Sequence, residues 1–198
     1  KLKELDFSGV NITFPFKEEV MKYADIINLS SSTVKSSNTL LFKEKIFAEN
    51  TDYTGFLRSY EFHFNKNKPK KILVLGGGGV GRAITFALGS LDVEHIYLYE
   101  KDQLRGQNLI KDLEFLKINC TLINSDKLEK TLFEPINTNE KFLDIHNFQN
   151  ALDVLESEKP DLILASPSFN FIDLAFCIVG KKKQIPVVSI INPNLISK

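Results

Sequence analysis

The 198-residue sequence is poor in cysteine, has only three histidines and carries no excess of either charge. Cys120 and Cys177 are too few for a disulfide scaffold, and both stand in apolar stretches, which predicts core positions. There is no CxxC motif, and the histidines are scattered along the chain, so we expect no metal site. Because 25 basic residues balance 25 acidic ones, a dedicated nucleic-acid-binding protein is disfavoured.

Long apolar runs are missing as well. No run approaches the roughly 18 residues that a transmembrane helix needs, and no secretory signal peptide is recognisable. We therefore expect no membrane partner. The first residue is Lys1 and not Met, which predicts a fragment or a trimmed chain. What remains is an ordinary globular composition, with 43% hydrophobic and 25% charged residues.

A polar and charged segment at residues 65–71 divides the sequence into two parts of different texture. We predict a partial α/β domain over residues 1–64 and a second domain over residues 65–198. The spacing of apolar residues in the first part predicts its elements. They are a strand over 9–14, a helix over 16–24, a polar turn over 30–37, a hairpin of 39–42 with 45–49, and a helix over 51–62.

The second part alternates buried strands with helices. Residues 72–75 form a continuous apolar run, which is typical of a strand buried on both faces of a parallel sheet. The pattern predicts an α/β fold with a Rossmann-type parallel sheet. We predict strands over 72–75, 95–99, 120–123, 161–165 and 186–191, helices over 83–88, 104–116 and 148–156, and a solvated loop at the lysines 181–183.

A glycine-rich segment directly follows the first of these strands. It satisfies the GxGxxG pattern in the strand-to-helix context that dinucleotide binding requires. Gly76 allows the tight turn, Gly78 admits a pyrophosphate close to the backbone, and the next helix presents free N–H groups at its N-terminus. We predict a dinucleotide site, against the alternative of a glycine-rich turn without a ligand. Its residues are Gly76, Gly77, Gly78, Gly79, Val80 and Gly81.

Glu100 closes the second strand of this part, 19 residues after Gly81. A carboxylate there is suited to accept hydrogen bonds from the adenosine ribose hydroxyls, and it repels the 2′-phosphate of NADP. Glu100 therefore favours NAD. Lys101 and Arg105 weaken that inference, because either cation is able to pair with a phosphate. The alternative interpretation of Glu100 is an exposed acidic residue at a strand end.

A second group of polar residues lies in the first part of the chain. Taken singly, each has an ordinary interpretation: Asn38 as a turn residue, Asp52 as a helix N-cap and Lys17 as a solvated lysine. Taken together, their order and spacing are distinctive. The group comprises Asn11, Thr13, Lys17, Asn38 and the triplet Asn50-Thr51-Asp52.

The segments GVNITFPFKE at residues 9–18, SNTL at 37–40 and NTDYTGF at 50–56 resemble the shikimate dehydrogenase family, in which a linker and a glycine-rich nucleotide loop follow them. The resemblance implies a substrate domain followed by a Rossmann-type domain. It implies a cytoplasmic NAD(P)-dependent oxidoreductase that acts on a CH–OH group. The reaction is the reversible reduction of 3-dehydroshikimate to shikimate in aromatic amino-acid biosynthesis. The partners are then small molecules, and the resemblance favours NADP as the cofactor.

The same resemblance implies a role for each polar residue. Lys17 matches the family's catalytic lysine, which relays the proton of the substrate hydroxyl, and Asp52 matches its partner. Asn38 and Thr13 match contacts to substrate hydroxyls, and Asn11 supports that pocket. The chemistry agrees, because oxidation of an alcohol gives a hydride to the nicotinamide and a proton to a positioned base.

A further family segment, near the nicotinamide, matches Ser166 and Pro167 after the fourth strand, whereas Phe169 stands where the family usually has glycine. Two alternatives stay open. One is a quinate/shikimate dehydrogenase that uses NAD, and the other is a non-catalytic homologue that binds only nucleotide. Phe169 favours the non-catalytic homologue, while the joint presence of Lys17 and Asp52 argues against it.

Overall fold

The computed structural model describes residues 2–64, 68–91, 93–123, 145–165 and 171–189. By its internal contacts the chain divides into two compact units. Unit 1 comprises Lys1–Lys68 and Gly78–Leu91, and unit 2 comprises Pro69–Gly77 and Asp92–Lys198. The chain therefore passes from unit 2 into unit 1 within the glycine-rich loop. The predicted boundary between residues 64 and 65 stays a prediction.

Unit 1 contains a four-stranded mixed sheet. Its strands are β1 (Gly9–Asn11), β2 (Ile26–Ile27), β3 (Thr39–Phe42) and β4 (Ile46–Glu49), in the order β1-β3-β4-β2. The predicted hairpin is confirmed, because β3 and β4 pair in antiparallel register with Leu40 opposite Ala48. These two side chains and Val20 form a small buried core. The two-residue strand β2, parallel to β4, is too short to be predicted from periodicity.

The α-helices that the structure describes in unit 1 are α1 (Leu29–Val34), α2 (Thr51–Phe64) and α3 (Gly79–Gly89). Each of them contacts the other two. The predicted helix over residues 51–62 is confirmed as α2. It begins where the Asn50 side chain accepts a hydrogen bond from the Tyr53 N–H at 3.1 Å, as a helix N-cap does.

Two expectations for residues 9–24 are corrected. The predicted strand ends at Asn11, because a turn follows in which the Phe16 N–H donates to the Thr13 carbonyl at 3.0 Å. The predicted helix is reduced to a 3₁₀ helix over Glu19–Tyr23. Only Val20 is buried there, and a single buried position does not stabilise a longer amphipathic helix.

The polar turn predicted over residues 30–37 is also corrected, because helix α1 occupies most of it. Its buried positions include Ser30 and Ser31, so the helix shows no apolar periodicity. The Ser30 hydroxyl accepts a hydrogen bond from the Asn50 N–H at 3.0 Å. A tertiary hydrogen bond therefore contributes to holding this short helix, and sequence pattern alone does not reveal it.

Unit 2 contains a five-stranded parallel sheet, which confirms the predicted α/β class. Its strands are β5 (Lys71–Leu75), β6 (His95–Tyr99), β7 (Cys120–Leu122), β8 (Leu162–Ala165) and β9 (Val187–Ser189), in the order β7-β6-β5-β8-β9. Residues 72–75 are at most 1% exposed, which explains their continuous apolar run. Each predicted strand of this part is present within the described residues.

The helices described in unit 2 are α4 (Gln103–Phe115), α5 (Ile145–Glu158) and α6 (Phe171–Lys182). Asp102 caps α4 by accepting a hydrogen bond from the Arg105 N–H at 3.0 Å. Helices α5 and α6 bring Leu155 and Phe176 into a core with Leu73 of the sheet. None of the described helices is long and apolar enough to span a membrane.

Helix α6 has no counterpart among the predicted elements. Its sequence is apolar over most of its length, so it lacks the polar face that makes a helix recognisable. Lys181 and Lys182 are exposed as predicted, but they end this helix and do not form a loop. Residues 124–144 and 190–191, which the predictions also covered, lie outside the described residues.

The strand order places β5 beside β8, with Leu75 opposite Ala165. The order reverses between these two strands, and parallel sheets of this kind bind nucleotides beyond the carboxyl ends of the strands at that point. Gly76 directly follows β5, and Ser166 directly follows β8. Ser166, Pro167 and Phe169 themselves lie outside the described residues.

Candidate active site

The structure brings Lys17 and Asp52 together. Lys17 Nζ donates a hydrogen bond to Asp52 Oδ2 at 2.8 Å. The two side chains keep 17% and 25% of their surface exposed, so the pair is partly shielded and still accessible to a small molecule. Asp52 lies in the first turn of α2, where the helix dipole favours a carboxylate. An ammonium group next to a carboxylate is an arrangement that can deliver and recover a proton.

The backbone of Lys17 is fixed by Ser37. The Lys17 carbonyl accepts a hydrogen bond from the Ser37 N–H at 2.7 Å. Ser37 is fully buried, and its hydroxyl lies 2.9 Å from the Thr39 carbonyl oxygen and 2.8 Å from that of Glu49. The segment that carries Lys17 is therefore tied to the β3–β4 hairpin through one buried serine.

Asn38 presents its amide in a defined orientation. Its Oδ1 accepts hydrogen bonds from the Thr51 N–H at 2.8 Å and from the hydroxyls of Thr51 and Thr39, each at 3.1 Å. Because a backbone N–H only donates, the oxygen of the amide must face Thr51. Among the described residues none takes a hydrogen bond from Asn38 Nδ2, so this group is available as a donor to a ligand.

Asn50 belongs to the polar group that the sequence analysis selected, but no role was predicted for it. It is fully buried, and its Nδ2 donates to the Ser36 carbonyl at 3.0 Å and lies 3.2 Å from the Ser36 hydroxyl. Its Oδ1 caps α2, as described above. Asn50 thus holds the segment before Asn38 against the helix that carries Asp52. The sequence signal for this role is an asparagine at the start of a predicted helix.

Asn11 and Thr13 lie on the segment that leads to Lys17, and both are exposed. Asn11 stands opposite Thr39 in the β1–β3 ladder. Neither side chain has a hydrogen-bond partner among the residues that the structure describes. Their hydroxyl and amide groups are therefore free to contact a polar ligand beside Lys17.

The glycine-rich loop has the backbone features that were predicted for it. Gly76 adopts φ 93°, a conformation that favours glycine, and its N–H donates to the Tyr99 carbonyl at 2.8 Å. Gly78 is the N-cap of α3 and provides no capping side chain. A Cβ atom at Gly78 would meet nothing within 4 Å. The space in front of the α3 N-terminus is therefore open, as a phosphate site requires.

The N-terminus of α3 lies beside Lys17. A Cβ atom built on Gly79 would lie 3.5 Å from Lys17 Cδ and 3.6 Å from Lys17 Nζ. Both residues belong to unit 1. The ammonium group of the Lys17–Asp52 pair therefore lies next to the first turn of the helix that the glycine-rich loop opens.

Glu100 is not the exposed strand-end residue of the alternative interpretation. It is 5% exposed, and its Oε2 accepts a hydrogen bond from the Gly77 N–H at 2.6 Å. Its Oε1 accepts one from the Asp102 N–H at 2.9 Å and lies 3.6 Å from Arg105 Nη1. Arg105 Nη2 also lies 3.4 Å from Asp102 Oδ2. Lys101, by contrast, is exposed.

The two cysteines were predicted to be core residues, but both are half-buried and neither is fully buried. Burial raises the pKa of the Cys120 thiol to about 12, so the thiol stays protonated at neutral pH and is a poor nucleophile. Cys177 packs against the core of unit 2. Among the described residues, no three or more His, Cys, Asp or Glu side chains are grouped so that they could hold a metal ion.

Known proteins resemble this chain in its sequence. Residues 1–40 match the family model for the shikimate dehydrogenase substrate binding domain. A shikimate dehydrogenase (NADP(+)) from Aquifex aeolicus is 40% identical over 128 residues, which cover 64% of this chain and 47% of that protein. The chain spans about half the length of the curated relatives it matches.

Solved structures share the fold. The crystal structure of shikimate dehydrogenase from Aquifex aeolicus matches with a TM-score of 0.60 and 25% identity, over 83% of this chain and 50% of that one. Shikimate 5-dehydrogenase from Listeria monocytogenes, solved in complex with shikimate and NAD, matches with a TM-score of 0.67 and 14% identity, over 95% and 69%. In the matched part of its sequence and in its fold, this chain is similar to proteins of the shikimate dehydrogenase family.

Proposed function

We propose that this chain carries the catalytic pair and the nucleotide loop of a shikimate dehydrogenase. The reaction is the reversible NAD(P)-dependent reduction of 3-dehydroshikimate to shikimate. The observation that carries the proposal is the 2.8 Å hydrogen bond between Lys17 and Asp52, formed next to Gly79 at the start of α3. In this assignment residues 1–64 are the substrate domain and residues 65–198 the nucleotide domain.

The proton chemistry belongs to Lys17. When NADPH or NADH is bound, its nicotinamide supplies the hydride that forms the new C–H bond at the carbonyl carbon. Lys17 Nζ donates a proton to the carbonyl oxygen as the hydroxyl forms, and it takes that proton back in the reverse direction. Asp52 holds the ammonium group in place and stabilises its charge across a 2.8 Å contact.

Substrate recognition is assigned to the polar groups that the protein leaves free. Asn38 Nδ2 is held as a donor because its oxygen is bound by Thr51 and Thr39. Thr13 and Asn11 offer a hydroxyl and an amide from the segment before Lys17. A polyhydroxylated ring needs several groups that both donate and accept hydrogen bonds, and this set supplies them.

Nucleotide binding is assigned to the loop at residues 76–81 and to the start of α3. The open space at Gly78 and the uncapped N–H groups of α3 favour a pyrophosphate. Ser166 and Pro167 are assigned to the nicotinamide end, because they follow β8, the neighbour of β5 in the sheet.

For the cofactor we favour NAD over NADP. Glu100 and Asp102 both lie near the Arg105 guanidinium, at 3.6 and 3.4 Å, so its charge is already compensated. A 2′-phosphate placed there would meet two carboxylates, and within residues 100–105 the cation without an ion-pair partner in the described part of the chain is Lys101. The Aquifex aeolicus relative is named for NADP(+), whereas the Listeria monocytogenes structure holds NAD, so relatives of both kinds exist.

The test is the absorbance of reduced nicotinamide when the purified chain is mixed with shikimate and either NAD or NADP. We expect shikimate-dependent reduction, and a fall in kcat of about 10²–10⁴-fold in Lys17→Ala, because the proton relay is lost. Lys22→Ala is the matched control, since Lys22 is an exposed lysine paired with Glu19 in the same unit.

The same assay with quinate in place of shikimate tests the alternative of a quinate/shikimate dehydrogenase, which would reduce NAD with either substrate. No substrate-dependent signal with either cofactor, while nucleotide still binds, would support the non-catalytic homologue. Unchanged turnover in Lys17→Ala would remove Lys17 from the reaction.

A further inference from the structure

Arg82 connects the nucleotide helix to helix α1. It stands one turn into α3, and its backbone N–H donates to the carbonyl of the N-cap Gly78 at 2.7 Å. Its Nε donates to the Val34 carbonyl at 2.9 Å, and its Cζ lies 5.0 Å from the centroid of the Phe86 ring. A charge-assisted hydrogen bond combined with a cation–π contact fixes the guanidinium in place.

The carbonyl that Arg82 binds belongs to the last residue of α1. Val34 is fully buried, and after it Lys35 turns the chain in a left-handed conformation with φ 57°. The next residue, Ser36, is 3% exposed and receives the side-chain hydrogen bonds of Asn50. This stretch has little freedom to move independently of α3.

The same stretch continues into the candidate active site. Ser37 donates to the Lys17 carbonyl, and Asn38 carries the free amide donor. The first residue of helix α3, Gly79, also lies beside the Lys17 side chain. Helix α3 is therefore close to the candidate site at the lysine, and through Arg82 it is hydrogen-bonded to the segment that leads to Ser37 and Asn38.

We infer that Arg82 is a positioning residue that couples nucleotide binding at the start of α3 to substrate binding at Lys17 and Asn38. The inference rests on the proposed function. A nucleotide bound at the N-terminus of α3 fixes the first turn of the helix. Arg82 passes that constraint to Val34 and so to the residues that follow it. Substrate then binds to groups that are already in place, which costs less ordering entropy.

The experiment measures thermodynamic coupling. Isothermal titration gives the Kd of shikimate with and without saturating NADH, and the Kd of NADH with and without saturating shikimate. Shikimate and NADH are both in the reduced form, so this pair binds without reacting. In the unmodified chain we expect each ligand to tighten the other about tenfold, by the same factor in both directions. In Arg82→Met we expect this factor to fall below about two, with the Kd of NADH alone unchanged.

Two further variants secure the interpretation. Arg58→Met removes an exposed arginine from α2 and should leave the coupling factor unchanged. Arg82→Lys keeps the positive charge and a donor, but it loses the planar guanidinium that bonds Val34 and lies over the Phe86 ring at the same time, so it should lower the coupling factor as well. It carries the test if Arg82→Met does not fold.

The outcomes separate the coupling from the proposed function. A coupling factor that is unchanged in the Arg82 variants overturns the inference, and so does an equal weakening of both ligands at constant factor. An unmodified chain that binds both ligands without coupling overturns it too, and the proposed function then stands. An unmodified chain that does not bind shikimate overturns both.

Discussion

The Lys17–Asp52 pair and the Glu100 cluster (Glu100, Asp102 and Arg105) both bring opposite charges together. They differ in how many of their hydrogen-bonding positions are already occupied by other protein groups. Lys17 and Asp52 share one hydrogen bond and keep 17% and 25% of their surface exposed. Glu100 is 5% exposed, and both of its oxygens accept backbone hydrogen bonds. The Lys17–Asp52 pair retains hydrogen-bonding capacity for a substrate. In the Glu100 cluster, most of that capacity is used by hydrogen bonds to the glycine-rich loop and to the start of α4.

The difference shows why position alone does not define a functional carboxylate. Asp52 and Glu100 are both acidic residues at the end or beginning of a regular element, and both were selected from the sequence. Their remaining hydrogen-bonding capacity separates them, because a group already satisfied by the protein has less to offer a ligand. We therefore expect Glu100 to influence a bound nucleotide mainly by fixing Gly77, whose N–H it binds.

The largest expected effect comes from breaking the Lys17–Asp52 pair at the carboxylate. Asp52→Asn removes the negative charge next to Lys17 Nζ but keeps the size of the side chain. We expect kcat to fall by about 10²-fold and KM for shikimate to rise, since proton transfer and substrate binding both use this pair. Steady-state kinetics measure both parameters.

Asp6→Asn is the control for the Asp52 variant. Asp6 is exposed, and its left-handed backbone with φ 57° is one that asparagine adopts readily. Asp52→Asn with the kinetics of the unmodified chain would show that Asp52 has no part in turnover.

A pair of adjacent glycines sharpens the comparison at the loop. A Cβ atom at Gly78 meets nothing within 4 Å, whereas one at Gly77 lies 3.2 Å from Glu100 Oε2. We expect Gly78→Ala to weaken NAD binding by at least about tenfold with less than about 1 kcal/mol change in the free energy of unfolding. Gly77→Ala should lower the free energy of unfolding by about 1–3 kcal/mol, because Glu100 must shift.

Urea unfolding and fluorescence titration with NADH measure the two quantities for each glycine variant. We assign Gly77 to packing against Glu100 and Gly78 to nucleotide binding. Equal losses of stability in Gly77→Ala and Gly78→Ala would contradict this assignment.

A smaller effect is expected at Glu100. Glu100→Gln keeps an acceptor for the Gly77 N–H, loses the one for the Asp102 N–H and removes one of the two carboxylates near Arg105. With only Asp102 left beside it, the guanidinium is more available to a 2′-phosphate, and we expect the NADP-to-NAD ratio of kcat/KM to rise about fivefold. Glu156→Gln, which alters an exposed glutamate paired with Lys183, is the control. A tenfold or greater preference for NADP in the unmodified chain would instead show that Lys101 or Arg105 controls this site.

The smallest effect concerns Cys120, a half-buried thiol to which we assign no ligand. Its pKa of about 12 keeps the thiol protonated at pH 8, so we expect no reaction with a thiol reagent such as DTNB until the chain unfolds. Cys120→Ser, compared with the unmodified chain under urea, assigns the reactive thiol. Rapid labelling of Cys120 in the folded chain at pH 8 would contradict its burial.

The elements with strong periodicity were predictable, and those held by tertiary contacts were not. The strands of the parallel sheet follow from continuous apolar runs, and α2 follows from its length. Helix α1 was missed because buried serines and a hydrogen bond from the Asn50 N–H stabilise it. The segment at residues 16–24 has helix-compatible residues, but its single buried side chain supports only a 3₁₀ turn.

The candidate site was predictable in its residues but not in its connections. Sequence order and spacing selected Lys17, Asn38 and Asp52. The orientation of the Asn38 amide depends on Thr51, and the burial of Glu100 depends on the Gly77 N–H, which are contacts between distant parts of the chain. Arg82 stands in a helix with an ordinary pattern, and nothing in that pattern indicates that its guanidinium reaches Val34.

The assignment of α3 to unit 1 has a consequence for how this chain can be divided. The order of the sequence attaches α3 to the parallel sheet, yet its contacts are with α1 and α2. A cut after residue 64, at the boundary that composition suggests, would separate those two helices from the third member of their layer. The first compact unit is therefore discontinuous in sequence. Transplanting it into another protein would require residues 78–91 together with residues 1–68. The chain crosses from one unit to the other within the glycine-rich loop.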